Sequence, residues 1–172
     1  MRRLFLLRHA KAVPDEQALA DIARPLAERG ERDALRIGQR LKLQHPSPGL
    51  ILASPAARAL HTAQIVAAAF DYPLGAIAVD PRLYLAVPTT LMEVVAAQDA
   101  AIEDLLVVGH NPGLSELVHE LTSGFDVDDL PTGAIVVLEY SAAADWAHLE
   151  RASARVGYYD FPKNSRAPLT AR

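Results

Sequence analysis

No cysteine occurs among the 172 residues, which excludes a disulfide framework, a zinc–thiolate site and a cysteine nucleophile together. Aromatic residues are also scarce, at 6%, so the core has to be assembled from aliphatic side chains and the helices from alanine-rich sequence. No stretch reaches the roughly 18 uninterrupted apolar residues of a membrane span. The start of the chain resembles the head of a signal peptide, but its apolar run Leu4-Phe5-Leu6-Leu7 stops at Arg8 and His9, too short for a secretory h-region. A soluble, cytoplasmic protein is expected. The formal charge of -4 provides no overall field to gather nucleic acid or an anionic membrane, so any anion site must be local. No Gly-x-Gly-x-x-Gly follows the first apolar run, which argues against a Rossmann-type nucleotide binder.

What is present is an alternation of strand and helix over a length that suits one domain, residues 1–172. Leu4 to Leu7 is continuously apolar, as in a strand buried on both faces of a parallel sheet. A polar loop from Lys11 to Arg24 precedes an amphipathic helix over 26–43, with Leu26, Ala34, Leu35, Ile37, Gly38 and Leu41 as its apolar positions. Leu50 to Ala53 is a second buried strand. Ser54-Pro55 after it, serine as cap and proline at the first helical position, starts a helix over 56–70. A third strand is expected at 76–79, a helix at 89–98, a fourth strand at 105–108 and a helix at 114–121. Ile135 to Tyr140 and Trp146 to Arg155 are expected as an antiparallel edge pair. The tail from Gly157 is expected to be partly irregular. The fold class is therefore α/β, a three-layer sandwich with a mostly parallel central sheet.

In such sheets ligands bind beyond the carboxyl ends of the strands. Three strand ends carry unusual chemistry: Arg8-His9-Ala10-Lys11, then Ser54-Pro55 with Arg58 one turn on, then Gly109-His110-Asn111-Pro112. Parallel pairing brings them to one edge, where nearby helix N-termini add backbone N–H donors. Two arginines, whose planar forks bind phosphate oxygens in pairs, and two histidines suit a tetrahedral dianion. Without a cysteine, imidazole is the strongest covalent nucleophile available.

These segments resemble the histidine phosphatase superfamily, whose fold is that of phosphoglycerate mutase. Leu6-Leu7-Arg8-His9-Ala10 is similar to its opening Arg-His-Gly signature. Ser54-Pro55-Ala56-Ala57-Arg58 with Thr62-Ala63 is similar to its second, and Val107-Val108-Gly109-His110 to its third. The short SixA-like branch of phosphohistidine phosphatases is the most similar, through Asp21-Ile22-Ala23-Arg24-Pro25-Leu26 and Leu130-Pro131-Thr132-Gly133-Ala134. That branch lacks the insertions that cap the site in mutases and acid phosphatases. Two departures stand out: Ala10 replaces the usual glycine, and Asn111 stands where some acid phosphatases carry an aspartate acid.

The resemblance implies a phosphatase in which His9 accepts the phosphoryl group while Arg8, Arg58 and His110 hold its oxygens, His110 protonated or donating. The other His9 ring nitrogen is expected to donate to a backbone carbonyl. No cofactor or metal is expected. Arg24 has two readings, a further phosphate contact or an ion pair with Asp21. Glu93 is a reserve general acid or an exposed helix residue, and Lys11 a positive rim or a plain surface lysine. His45, His61, His119 and His148 carry no motif. A site without an acid suits phosphohistidine on a protein, which leaves as imidazole, with a monomer favoured. The rival readings are a small-metabolite phosphomonoesterase and a phosphate-binding module without turnover.

Overall fold

The parallel strands expected from the sequence form one half of a larger, mixed sheet, from its β3 edge to β1. In the computed structural model, which describes residues 1–15, 19–141, 145–165 and 168–170, the strands are β1 (Arg2–Arg8), β2 (Leu50–Ala53), β3 (Ala78–Val79), β4 (Asp104–Gly109), β5 (Ile135–Tyr140), β6 (Arg155–Asp160) and β7 (Leu169–Thr170). The helices are α1 (Glu28–Gln44), α2 (Ala57–Ala69), α3 (Pro88–Ala96) and α4 (Gly113–Leu121). The strand order is β3-β2-β4-β1-β5-β6-β7. Pairing is parallel from β3 to β1 and antiparallel from β1 to β7. No helix among the described residues is long and apolar enough to cross a membrane.

The unbroken apolar run of β1 follows from helices on both faces. Successive side chains of a strand point to opposite sides. Leu4 and Leu6 therefore pack with Leu91, Val94, Leu114 and Leu117 from α3 and α4. Phe5 and Leu7 pack on the other side with Ile37 and Leu41 of α1 and Ala59, Ala63 and Val66 of α2. The alanine face of α2 lets it lie close to the sheet. Truncating one of these buried leucines to alanine costs about 2–5 kcal/mol.

Three expectations are corrected. The second antiparallel strand is Arg155–Asp160, not Trp146 to Arg155. Trp146 instead lies fully buried outside any strand, donating from Nε1 to the Ile102 carbonyl at 2.8 Å under the Arg2 guanidinium. The tail from Gly157 is partly irregular, as expected: it is strand up to Asp160, without regular structure at 161–165, and strand again at β7, and its residues 166–167 and 171–172 lie outside the described residues. Ser54 is not the cap of α2, which begins at Ala57 after Ala56. Leu35 points outward, 46% exposed, because it falls one position off the buried stripe Ala34, Ile37, Gly38 and Leu41.

Candidate active site

β2, β4 and β1 are adjacent and parallel, with Arg8 level with Gly109 and Ala53 level with Val108. The ladder runs one residue further on each side, through His9 N–H to the Gly109 carbonyl and Ser54 N–H to the Val108 carbonyl, both 3.0 Å. His9 and His110 therefore leave the sheet at the same level, with Ser54 one residue behind, level with Arg8 and Gly109. The rings of His9 and His110 lie 5.2 Å apart. Arg58, on the first turn of α2, is 2% exposed and sits between them, its Nε 3.3 Å from His9 Nε2 and its NH2 3.5 Å from His110 Nδ1.

A cavity of about 370 Å³ opens over these side chains, lined also by Arg8, Lys11, Asp21, Arg24, Leu85 and Asn111. His9 Nδ1 donates to the Ala10 carbonyl at 2.7 Å, as expected, which leaves the lone pair on Nε2. Burial pushes the His9 pKa down to about 4, and the charges of Arg58, Arg8 and Arg24 push the same way against the carbonyl bond. His110 is held at about 3, first by burial, then by its His9 and Arg58 neighbours. The site thus carries two neutral imidazoles. His110 is not protonated here, and its proton sits on Nε2, donated to Ser54 Oγ at 2.7 Å. Ser54 Oγ also accepts from the Ala56 N–H at 3.3 Å. The serine read as a helix cap therefore orients the second histidine.

Asp21 organises the arginines. Its backbone carbonyl and Oδ2 accept from Arg58 at 2.7 and 3.0 Å, and its Oδ1 accepts from Arg24 at 3.1 Å. The Tyr84 hydroxyl donates to Oδ2 at 2.6 Å. That bond is the largest cause holding the carboxyl at about 2, with Arg58 and Arg24 adding to it. The ion-pair reading of Arg24 is therefore met, and the residue also lines the cavity. The Nε atoms of Arg8 and Arg24 are buried with no hydrogen-bond partner, while both residues line the cavity. Arg8 is oriented by NH1, which donates to the Leu130 carbonyl beside Asp129.

Ala10 is fully buried and outside the left-handed region, so alanine replaces glycine there without backbone strain. Its N–H donates to Thr62 Oγ1 at 3.0 Å, and Thr62 in turn donates to the Arg58 carbonyl at 2.7 Å. Glu93 is exposed on α3 and does not line the cavity. His45, His61, His119 and His148 do not line it either. Sequence reasoning missed Asp21 and Tyr84 as organisers; the first was visible only as a partner of Arg24, and the second carried no motif.

The histidine phosphatase superfamily (branch 1) model matches residues 4–84. An uncharacterized Mycobacterium tuberculosis protein is 35% identical over 167 residues, covering 91% of this chain and all of that protein. A Mycobacterium leprae counterpart, also uncharacterized, is 31% identical over 170 residues, with 91% of this chain and all of that protein covered. Among solved structures, a Nakamurella multipartitia protein assigned as a phosphohistidine phosphatase SixA superposes with a TM-score of 0.78 at 29% identity, over 95% of this chain and 97% of that one. The protein histidine phosphatase SixA complexed with tungstate superposes with a TM-score of 0.73 at 25% identity, over 93% and 97%. With its motifs gathered on one sheet edge and this fold around them, the chain belongs to branch 1 of the histidine phosphatase superfamily.

Proposed function

We propose that the protein is a phosphatase that takes a phosphoryl group onto His9 Nε2 and acts on phosphohistidine in proteins. The observation that carries this is the fixed tautomer of His9, whose Nδ1 proton is committed to the Ala10 carbonyl while Nε2 faces the arginines. In the first step the Nε2 lone pair attacks phosphorus in line and the bond to the leaving group breaks. Arg8, Arg24 and Arg58, which all line the cavity, take the equatorial oxygens. A dianion beside His110 favours its charged form, so a proton on Nδ1 adds a further donor. Water then attacks the phosphohistidine and phosphate departs as the monohydrogen anion with release of one proton. His9 leaves as neutral imidazole because Nδ1 never lost its proton, so neither step needs a proton delivered to Nε2.

The leaving group decides the substrate class. An alkoxide has to be protonated as it departs, whereas phosphohistidine takes a solvent proton on its distal nitrogen and leaves as imidazole. Asp21 is the one carboxylate lining the cavity among the described residues, and at about 2 it stays ionised at neutral pH. The likeness to the SixA structures points the same way. A direct competition between a phosphohistidine peptide and a panel of phosphorylated sugars and nucleotides tests this. The peptide is expected to have the highest kcat/KM; a metabolite outcompeting it contradicts the assignment.

A further inference from the structure

A second hollow of about 250 Å³ adjoins the catalytic cavity and shares Lys11 and Thr132 with it. Its remaining walls are Arg29, Asp33, Pro131, Phe161, Pro162 and Lys163. Two glycines let these segments converge. A Cβ on Gly30 would lie 2.0 Å from the Lys11 carbonyl oxygen, the same oxygen that accepts from the Ala27 N–H at 2.9 Å. The first turn of α1 is thus pressed against the backbone of Lys11, which places Arg29 beside it. Gly133 has φ +76°, and a Cβ there would meet Pro162 Cγ at 2.8 Å. That approach draws Pro162 and Lys163, just past β6, up to the end of β1, and Arg36 secures the Pro162 carbonyl at 3.2 Å.

The hollow is a local positive surface on a protein of net charge -4. Lys11, Arg29 and Lys163 face a single carboxylate, Asp33, which is 7% exposed and engaged by Arg29 at 3.5 Å and Arg36 at 3.8 Å. Neither lysine has an acidic partner among the described residues. The charge therefore exceeds what the fold consumes, and it lies one wall away from the phosphoryl site. Pro131, Phe161 and Pro162 supply apolar walls that suit a methylene stem rather than a second bare phosphate. On the mouth of the catalytic cavity, Leu85 is 53% exposed, an apolar contact that a small anion would leave unused.

We propose that this basic hollow is a specificity subsite for an acidic side chain that flanks the phosphohistidine on the protein substrate. The inference rests on the phosphohistidine reading above. The test uses two phosphohistidine peptides, identical except that three flanking glutamates in one are glutamines in the other. Each exposed ion pair contributes a factor of about one to five, so three cations give roughly a tenfold preference in kcat/KM for the acidic peptide at low salt. The ratio should fall towards one in about 0.5 M salt, where screening is short-ranged, and in the Arg29→Gln/Lys163→Gln protein. It should also fall in Lys163→Glu. Equal kcat/KM for the two peptides with the wild-type protein overturns the subsite and leaves the phosphatase reading intact. A preference that survives in the double variant also overturns it, since the acidic residues would then be read elsewhere. Failure to hydrolyse either peptide while a small phosphate ester is turned over removes the phosphohistidine reading, and the subsite falls with it.

Discussion

Acidification should destabilise this protein well before its carboxylates titrate, because two active-site imidazoles are held neutral. An unfolded histidine titrates near 6.5, whereas His9 is held at about 4 and His110 at about 3. Both rings are neutral in either state above about pH 6.5, so the full stability is present there. As the pH falls, the unfolded chain takes up protons that the folded one refuses, and stability is lost until the folded values are reached. One pH unit corresponds to about 1.4 kcal/mol per proton. Between pH 6.5 and 5 each ring therefore removes about 2 kcal/mol, and the pair at most about 4 kcal/mol. With the rings 5.2 Å apart, their protonation is coupled and the sum is an upper bound. Set against a typical total of about 5–15 kcal/mol, the loss is substantial. Urea unfolding at pH 7.5, 6.5 and 5 measures it, and His9→Gln and His110→Gln should each flatten the decline by about 2 kcal/mol. If both variants lose stability on acidification as steeply as the wild type, the rings are not held neutral in the folded state.

Asp21→Asn tests the organiser of the arginines. The amide keeps one acceptor oxygen where the carboxylate serves Arg58, Arg24 and Tyr84, and it turns its own N–H group towards guanidinium donors. A displacement of Arg58 by about 1 Å costs on the order of a hundredfold in kcat, while the more positive cavity keeps KM for a small phosphate ester from rising. An unchanged kcat in steady-state assays contradicts the positioning role. Gly30→Ala places a methyl group on the Lys11 carbonyl, backbone that cannot yield. A cost of about 3 kcal/mol and a Tm lower by on the order of 6–12 °C are expected. Gly75→Ala, with nothing within 4 Å of the added atom, should melt like the wild type.

The parallel half of the fold and the gathering of His9, Arg58 and His110 were legible in the sequence for a physical reason. Strands buried on both faces read as unbroken apolar runs, and chemistry at their carboxyl ends is forced to one edge. The antiparallel half was less legible. β6 contains Gly157, where a Cβ would collide with the Glu139 side chain, and its pairing with β5 shifts register at Val137 and Leu138. A glycine followed by Pro162 reads as irregular chain, while Trp146 nearby suggests a strand it does not join. Asp21, Tyr84 and Ser54 were opaque as site organisers because each acts through another residue's orientation. Contacts such as Tyr84 to Asp21 exist only once the segment between β3 and α3 is packed on the loop before α1.

The most direct test is the covalent intermediate. After rapid mixing with a labelled phosphohistidine substrate and quenching in base, the protein should carry alkali-stable, acid-labile phosphate, mapped by mass spectrometry to the peptide containing His9. His9→Ala should carry none and should lose hydrolysis. Label on any other residue, or undiminished phosphoenzyme in His9→Ala, contradicts the central claim that His9 is the nucleophile.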